Sequence, residues 1–205
     1  MKLEICRLRK RDYKKAVRFA LTGMNFSLYL DSRLLLKLFG KYFWYTELNR
    51  ATQMIAVYAG KELAGVLLAE VAGERKRYRT VRTVLYVKTM DLLQRILYQN
   101  GAQEYERANR QMYRQYARRV RPQGEITFLA VNPRLQGMGA GTMLLKEFER
   151  RERGKKIFLY TDEACTYQFY EHRGFCRFGE RDIVLNMGKK KIPLKCFLYS
   201  KEAAF

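Results

Sequence analysis

The 205-residue sequence predicts a mixed α/β (α+β) domain, and three observations predict it. Between 125 and 178, an apolar strand pattern, a glycine-rich loop, a helical pattern and further short strands succeed one another. Upstream, the runs 53–59 and 63–71 are β-patterned and joined by Gly60-Lys61, which reads as a hairpin. The remaining apolar residues mostly recur at helical spacing, and 48% hydrophobic residues with 14% aromatics supply enough core for one folded unit.

The elements follow in order. Residues 3–8 alternate loosely as a first strand, and Asp12 is placed to cap a helix reaching Leu21. Ser32 or Asp31 caps the next helix, with Leu34, Leu35, Leu38 and Phe39 on its apolar face and Gly40 at its end. After the hairpin, 74–121 reads as a helical insertion between the third and fourth strands. One helix carries Val84, Leu85, Met90, Leu92, Leu93, Ile96 and Leu97, and a second carries Tyr105, Met112, Tyr113 and Tyr116. Asn100-Gly101 separates the two, and arginines crowd both. The strand 125–131, a helix from Gly139 to about Arg153, a strand over 156–160 and a helix over 164–172 come next. Gly174 ends that helix, and 175–178 and 192–199 supply the last strands, with a turn near Gly188-Lys189. No repeat or low-complexity linker divides the chain, so 1–205 is read as a single domain with 125–178 as its core.

The strand at 125–131 ends at Pro133, and Gln136-Gly137-Met138-Gly139-Ala140-Gly141-Thr142 then opens a helix. Free backbone N–H groups at a helix start, with the dipole behind them, form a cradle suited to a diphosphate. A phosphate-binding P-loop would end in Gly-Lys-Ser/Thr, whereas this loop ends in Ala140-Gly141-Thr142. A dinucleotide fold would space its glycines G-x-G-x-x-G, and here they run G-x-G-x-G. The loop instead resembles the acyl-CoA loop of the GNAT superfamily of N-acetyltransferases, Q/R-x-x-G-x-G/A after a strand reading V-x-P. Val131, Pro133, Gln136, Gly139 and Gly141 carry that match, and Phe169-Tyr170-Glu171-His172-Arg173-Gly174-Phe175 resembles the family's second segment, Y-x-x-x-G-F.

The resemblance implies a central, mostly antiparallel sheet whose fourth and fifth strands splay apart, flanked by helices. It implies acetyl-CoA as acetyl donor, held by Leu129, Ala130 and Val131 through backbone groups and by Gln136, Gly137, Met138, Gly139, Ala140, Gly141 and Thr142 at the pyrophosphate. Glu125 stands where several family members keep the base that deprotonates the acceptor amine, and strict alternation puts it on one face with Thr127 and Leu129. Tyr170 matches the tyrosine that protonates the departing thiolate, with Tyr167 as a competitor. Where the family often has asparagine near the start of the last helix, this chain reads Thr161-Asp162-Glu163-Ala164.

His172, the single histidine, should project away from Tyr170 on a helix, which excludes a Ser-His-Asp hydrolase. Cys6, Cys165, Cys176 and Cys196 have no zinc spacing, so no metal is expected, and Cys165 reads as small helix filler. No apolar run approaches a bilayer span, and the start of the chain has no signal-peptide core, so a cytoplasmic protein without membrane contact is expected. The formal charge of +21 exceeds what CoA binding needs. It leaves a second function class open beside the transferase of an amine-bearing acceptor. That alternative is a basic protein that binds nucleic acid, a ribosomal surface or an acidic protein and uses the acyl-CoA fold as a scaffold or sensor.

Overall fold

The computed structural model describes residues 2–23, 32–97, 101–187 and 190–203. Their elements are β1 (Leu3–Cys6), α1 (Tyr13–Gly23), α2 (Arg33–Arg50), β2 (Gln53–Ala59), β3 (Glu62–Val71), α3 (Val81–Leu97), α4 (Gly101–Ala117), β4 (Gly124–Val131), α5 (Ala140–Arg151), β5 (Lys156–Asp162), α6 (Gln168–Glu171), β6 (Cys176–Met187) and β7 (Lys190–Glu202). The strands form one sheet in the order β1-β2-β3-β4-β5-β7-β6. Every neighbouring pair is antiparallel except β4 and β5.

That parallel pair controls the site. Its ladder joins only Gly124 with Ile157 and Glu125 with Phe158. Beyond Glu125 the strands part, while β4 stays on β3 as far as Val131 and β5 stays on β7 as far as Asp162. The expected splay is therefore present, and it opens straight after Glu125. One edge of β4 is left without a strand partner from Ile126 onward.

A β-bulge corrects the expected facing of Glu125. In the β3–β4 ladder Leu68 pairs Phe128 and Ala69 pairs Ile126, so Thr127 is an extra residue with no partner. Each extra residue exchanges the two faces of a strand. Leu129, Val131 and Ile126 consequently pack with α5 against Leu67, Ala69 and Phe148. Phe128 and Ala130 pack with α1 and α2 around Trp44 and Leu68. Glu125, opposite Glu70, shares this second face and turns toward α2 rather than joining Leu129.

Helices α1 and α2 cover one half of that face, and α4 covers the other through Met112 and Tyr116 on Phe158, Leu194 and Leu198. Helix α5 and the Phe169–Tyr170 segment lie on the opposite face. The insertion forms the two expected helices, but α3 packs mainly along α2 and leaves Leu85, Leu92 and Leu93 exposed.

Other expectations shift for local reasons. Gly40 does not end α2: the helix packs there so closely on α1 that a Cβ at Gly40 would meet Leu21 and Val17 at 2.9–3.0 Å, and α2 continues to Arg50. The face expected to be buried, Leu34, Leu35 and Leu38, is exposed, and Trp44 and Leu48 are the buried anchors. Ser32 does cap α2, accepting from Leu35 N, whereas Asp31 lies outside the described residues. Asp12 is no cap: it is buried, accepting from the Tyr58 hydroxyl at 3.0 Å and pairing with Lys15 at 2.8 Å. The helix expected over 164–172 shortens to α6, preceded by turns. Asn100 and the turn expected at Gly188-Lys189 lie outside the described residues, and β6 and β7 run much longer than expected.

Candidate active site

At the end of β4, Asn132 is buried and fastens the loop. Its amide donates to Glu62 at 2.9 Å, and its carbonyl oxygen accepts from Arg134 N at 3.0 Å. Residues 133–135 form a 3-10 turn, and Gly137 and Gly139 then adopt φ of +87° and +85°. Residues with a Cβ avoid that region, so glycine at these two positions lets the chain fold back into α5. The first α5 bond runs from Met143 N to Gly139 O. Helix geometry therefore leaves the N–H groups of Ala140, Gly141 and Thr142 without helical acceptors, an arrangement that suits an anion.

Gln136, Gly137, Met138 and Gly139 are exposed, Thr142 is half-buried, and Ala140 and Gly141 are buried. Gly141 is a close-approach position: a Cβ there would meet the Phe169 ring at 2.9 Å. A depression of about 470 Å³ beside the cradle is lined by Gly139, Thr142, Lys146 and Arg150.

Sequence reasoning missed a residue here. Arg173, just past α6, donates to Thr142 Oγ1 at 2.6 and 3.1 Å, and to the Phe169 carbonyl at 2.9 Å. Its guanidinium also lies 3.8 Å from the centre of the Phe169 ring. It thus locks α6 to the first turn of α5. Its position one residue before Gly174 was the only signal in the sequence.

Tyr170 sits among Phe169, Phe175 and Tyr199 with ring centroids 5.2, 5.7 and 6.4 Å away. Burial pushes its phenol upward, so it stays protonated at neutral pH. Gly174, at φ +77°, ends the segment, and Phe175 N donates to the Tyr170 carbonyl at 3.1 Å. The competitor Tyr167 packs on Phe197 at 5.0 Å. His172 is exposed. Cys165 is pushed up to about 12, first by burial and then by the neighbouring Asp162 carboxylate, which makes it a poor nucleophile. At the point of departure from the family pattern, Asp162 is buried and accepts from Ala164 N at 3.0 Å.

On the opposite face, where β4 and β5 part, three glutamates surround one arginine. Arg50 Nη2 donates to Glu125 Oε2 at 2.6 Å, Arg50 Nε donates to Glu70 at 3.1 Å, and Arg50 Nη1 lies 3.7 Å from Glu47. Lys76 pairs with Glu70 at 2.6 Å. Burial raises Glu125 above the ordinary carboxylate range, against the pull of Arg50. For Glu70 the hydrogen bonds from Lys76 and Arg50 outweigh burial and lower it. Glu47 is pushed up to about 7, first by burial and then, against Arg50, by the Glu125 and Glu70 charges. Tyr160 on β5 also feels the Glu125 charge. Arg50 had no sequence signal, since α2 was expected to stop at Gly40. Among the described residues, no cluster of metal-ligating side chains is present.

The diverging strands thus carry an anion cradle after the end of β4 on one face and a carboxylate cluster beside its start on the other. Residues 108–177 match the family model described as the acetyltransferase (GNAT) domain. No curated protein matches the chain in sequence. Solved structures are similar over nearly the whole chain. The HPA2-type histone acetyltransferase and related acetyltransferase of Corynebacterium glutamicum superposes with TM-score 0.58 at 15% identity, covering 100% of this chain and 98% of its own. PaiA N-acetyltransferase of Thermoplasma acidophilum, solved with coenzyme A, gives 0.53 at 14% identity, covering 98% and 99%. The ribosomal-protein-S18-alanine N-acetyltransferase of Escherichia coli gives 0.50 at 12% identity, covering 100% and 96%. The chain thus has the fold of these acetyltransferases over nearly its whole length, and its residues 108–177 match the GNAT acetyltransferase domain model.

Proposed function

We propose that the protein transfers the acetyl group of acetyl-CoA directly to a primary amine of a small molecule or protein. The chain acts as one domain, with 125–178 as the donor-binding core and 74–121 as a basic helical insertion. The observation that carries this reading is a conjunction. The only parallel ladder in the described sheet fails after one residue pair past its start, and β4 then delivers its free edge into the N-terminal cradle of α5.

Bound in that groove, acetyl-CoA supplies an acyl group already activated as a thioester. The chain's own groups do the rest. Ala140, Gly141 and Thr142 N–H groups, with Gln136, Gly137, Met138 and Gly139 shaping the loop, hold the pyrophosphate. Backbone groups of Leu129, Ala130 and Val131 on the free edge orient the pantetheine amides and the thioester carbonyl. A donor aimed at a developing oxyanion is worth about 3 kcal/mol of barrier. Tyr170 holds the proton that a departing thiolate takes up. A carboxylate of the Glu125 cluster receives the proton of the ammonium, which at a pKa of about 10 must be lost before the nitrogen can attack. The raised thiol of Cys165, a poor nucleophile, supports direct transfer without an acetyl-enzyme.

No described helix is long and apolar enough to cross a membrane, which is compatible with a cytoplasmic enzyme. A second reading, binding of nucleic acid on the same scaffold, is favoured by the exposed Arg107, Arg110, Arg114 and Arg118 along and just beyond one face of α4.

Titration calorimetry with acetyl-CoA, CoA and dephospho-CoA tests the transferase reading. Micromolar binding that weakens as phosphates are removed is expected. No binding at millimolar CoA would overturn it and leave the arginine face as the lead.

A further inference from the structure

From the geometry of the carboxylate cluster we infer that Glu47 on α2, not Glu125, is the base that takes the acceptor's proton, and that Arg50 and Glu125 form the fixed ion pair that positions it. This assignment rests on the transferase reading and deepens it.

The cluster divides its duties unequally. Glu125 is engaged: its Oε2 accepts a 2.6 Å charge-assisted bond from Arg50, and taking up a proton there would break it. Glu70 is engaged twice, by Arg50 Nε and by Lys76. Glu47 is different. Its side chain is nine-tenths buried, with 9% exposed, yet Oε2 has no hydrogen-bond partner and meets Arg50 only at 3.7 Å. A buried carboxylate oxygen left open is costly unless something arrives to use it.

What it faces identifies the user. The Thr127 hydroxyl also lacks a hydrogen-bond partner of its own, and it lies close enough to favour the ionised form of Glu47. Thr127 is the bulged residue of β4, two residues past the last pair with β5, so its neighbour Glu47 lies beside the stretch where the strands have opened. The groups facing Glu47 are Arg50 on its own helix, Glu70 from β3, and Glu125 with Thr127 from β4. Tyr160 of β5 stands beyond Glu125. Two cations, Arg50 and the Lys76 that pairs with Glu70, thus serve three carboxylates, which leaves the cluster one positive charge short when Glu47 is ionised and suited to an ammonium ion. A base serves best when its own proton affinity lies near the working pH, and burial places Glu47 there.

The step balances simply. The ammonium gives its proton to Glu47 Oε2. The nitrogen lone pair then forms the C–N bond as the C–S bond breaks, the thiolate leaves with the proton from Tyr170, and the second proton shed by the acylated nitrogen restores the Tyr170 phenol through solvent. Glu47 returns its proton to solvent.

The test is a pH profile of kcat/KM with acetyl-CoA and a panel of alkyl polyamines, amino acids and short peptides, read by thiol release. Wild type should show an acidic limb near pH 7. Glu47→Gln should lower kcat/KM about 100-fold or more and abolish that limb, while CoA affinity and the circular dichroism spectrum stay as in wild type. Glu125→Gln should keep the limb and move it to lower pH, because a like charge beside Glu47 is gone. Loss of the limb in Glu125→Gln with survival in Glu47→Gln would overturn the assignment and return the role to Glu125. Absence of turnover by wild type across the panel, with acetyl-CoA bound, would instead sink the transferase reading itself.

Discussion

Glu47→Gln should stabilise the protein at alkaline pH while it removes activity. Glu47 is raised from its ordinary 4.5 to about 7 in the folded state. A carboxyl raised on folding binds more protons folded than unfolded between those two values, so stability falls as pH rises through that window. At 1.36 kcal/mol per pH unit of displacement, the ionised group costs the folded state about 3 kcal/mol above pH 8 and nothing below pH 4. Glutamine mimics the protonated carboxyl at every pH. It should therefore match wild type within about 0.5 kcal/mol at pH 4.5 and exceed it by about 2–3 kcal/mol at pH 8.5.

Urea unfolding at the two pH values measures this, and the protein has its own probe. Trp44 is the single tryptophan, 1% exposed, and one turn before Glu47 on α2. The other titrating groups are common to both proteins, so the double difference isolates position 47. Equal pH dependence in the two proteins would refute the burial argument, as would a variant less stable than wild type at pH 8.5. A favourable result has a functional meaning. The site keeps an ionisable group where an amide would be more stable, which is the trade expected of a working base.

Gly139→Ala puts a side chain at φ +85°, which costs about 1–2 kcal/mol at the mouth of the cradle; CoA affinity by calorimetry should fall about tenfold or more, with helix content unchanged. Tyr170→Phe removes only a hydroxyl from an aromatic cluster, so thermal unfolding should move little while kcat falls about tenfold or more; an unchanged kcat would take the acid role from this residue. Alkylation with iodoacetamide at pH 8, read by mass spectrometry, should label the exposed Cys6 and Cys176 and spare Cys165 and Cys196, whose thiols are pushed up to about 12 by burial first.

The donor side of the site was legible because its requirements are local. A turn needing two left-handed residues accepts little but glycine, so Gly137 and Gly139 announce their own backbone, and Gly174 does the same after Tyr170. On the carboxylate side, Glu47, Glu70 and Glu125 can be named from the sequence as acidic residues available to a pocket, but their meeting on Arg50 was not legible, because it is assembled across 47, 50, 70 and 125 and no spacing links those positions. Gly40 hid the helix that carries two of them: the residue reads as a stop, whereas its function is to admit Leu21.

The facing of Glu125 shows the limit most sharply. Alternation along 125–131 gives its side chain to the α5 face, and nothing in Glu-Ile-Thr-Phe-Leu-Ala-Val contradicts that reading. The extra residue at Thr127 reverses it, and only the pairing with β3 reveals which residue is extra. Because β3 alternates without interruption from Val66 to Val71, opposite the bulge, the reversal there is confined to β4. A shift of a single residue thus separates the two halves of the chemistry. Leu129 and Val131 remain on the face of the anion cradle, while Glu125 turns to Arg50 and Glu47 on the other. Deleting Thr127 should swing Glu125 toward Phe148 and Ile157, where a carboxylate has no partner. Such a variant should unfold at markedly lower urea than wild type. If it folds with wild-type stability, the bulge is not what places the cluster.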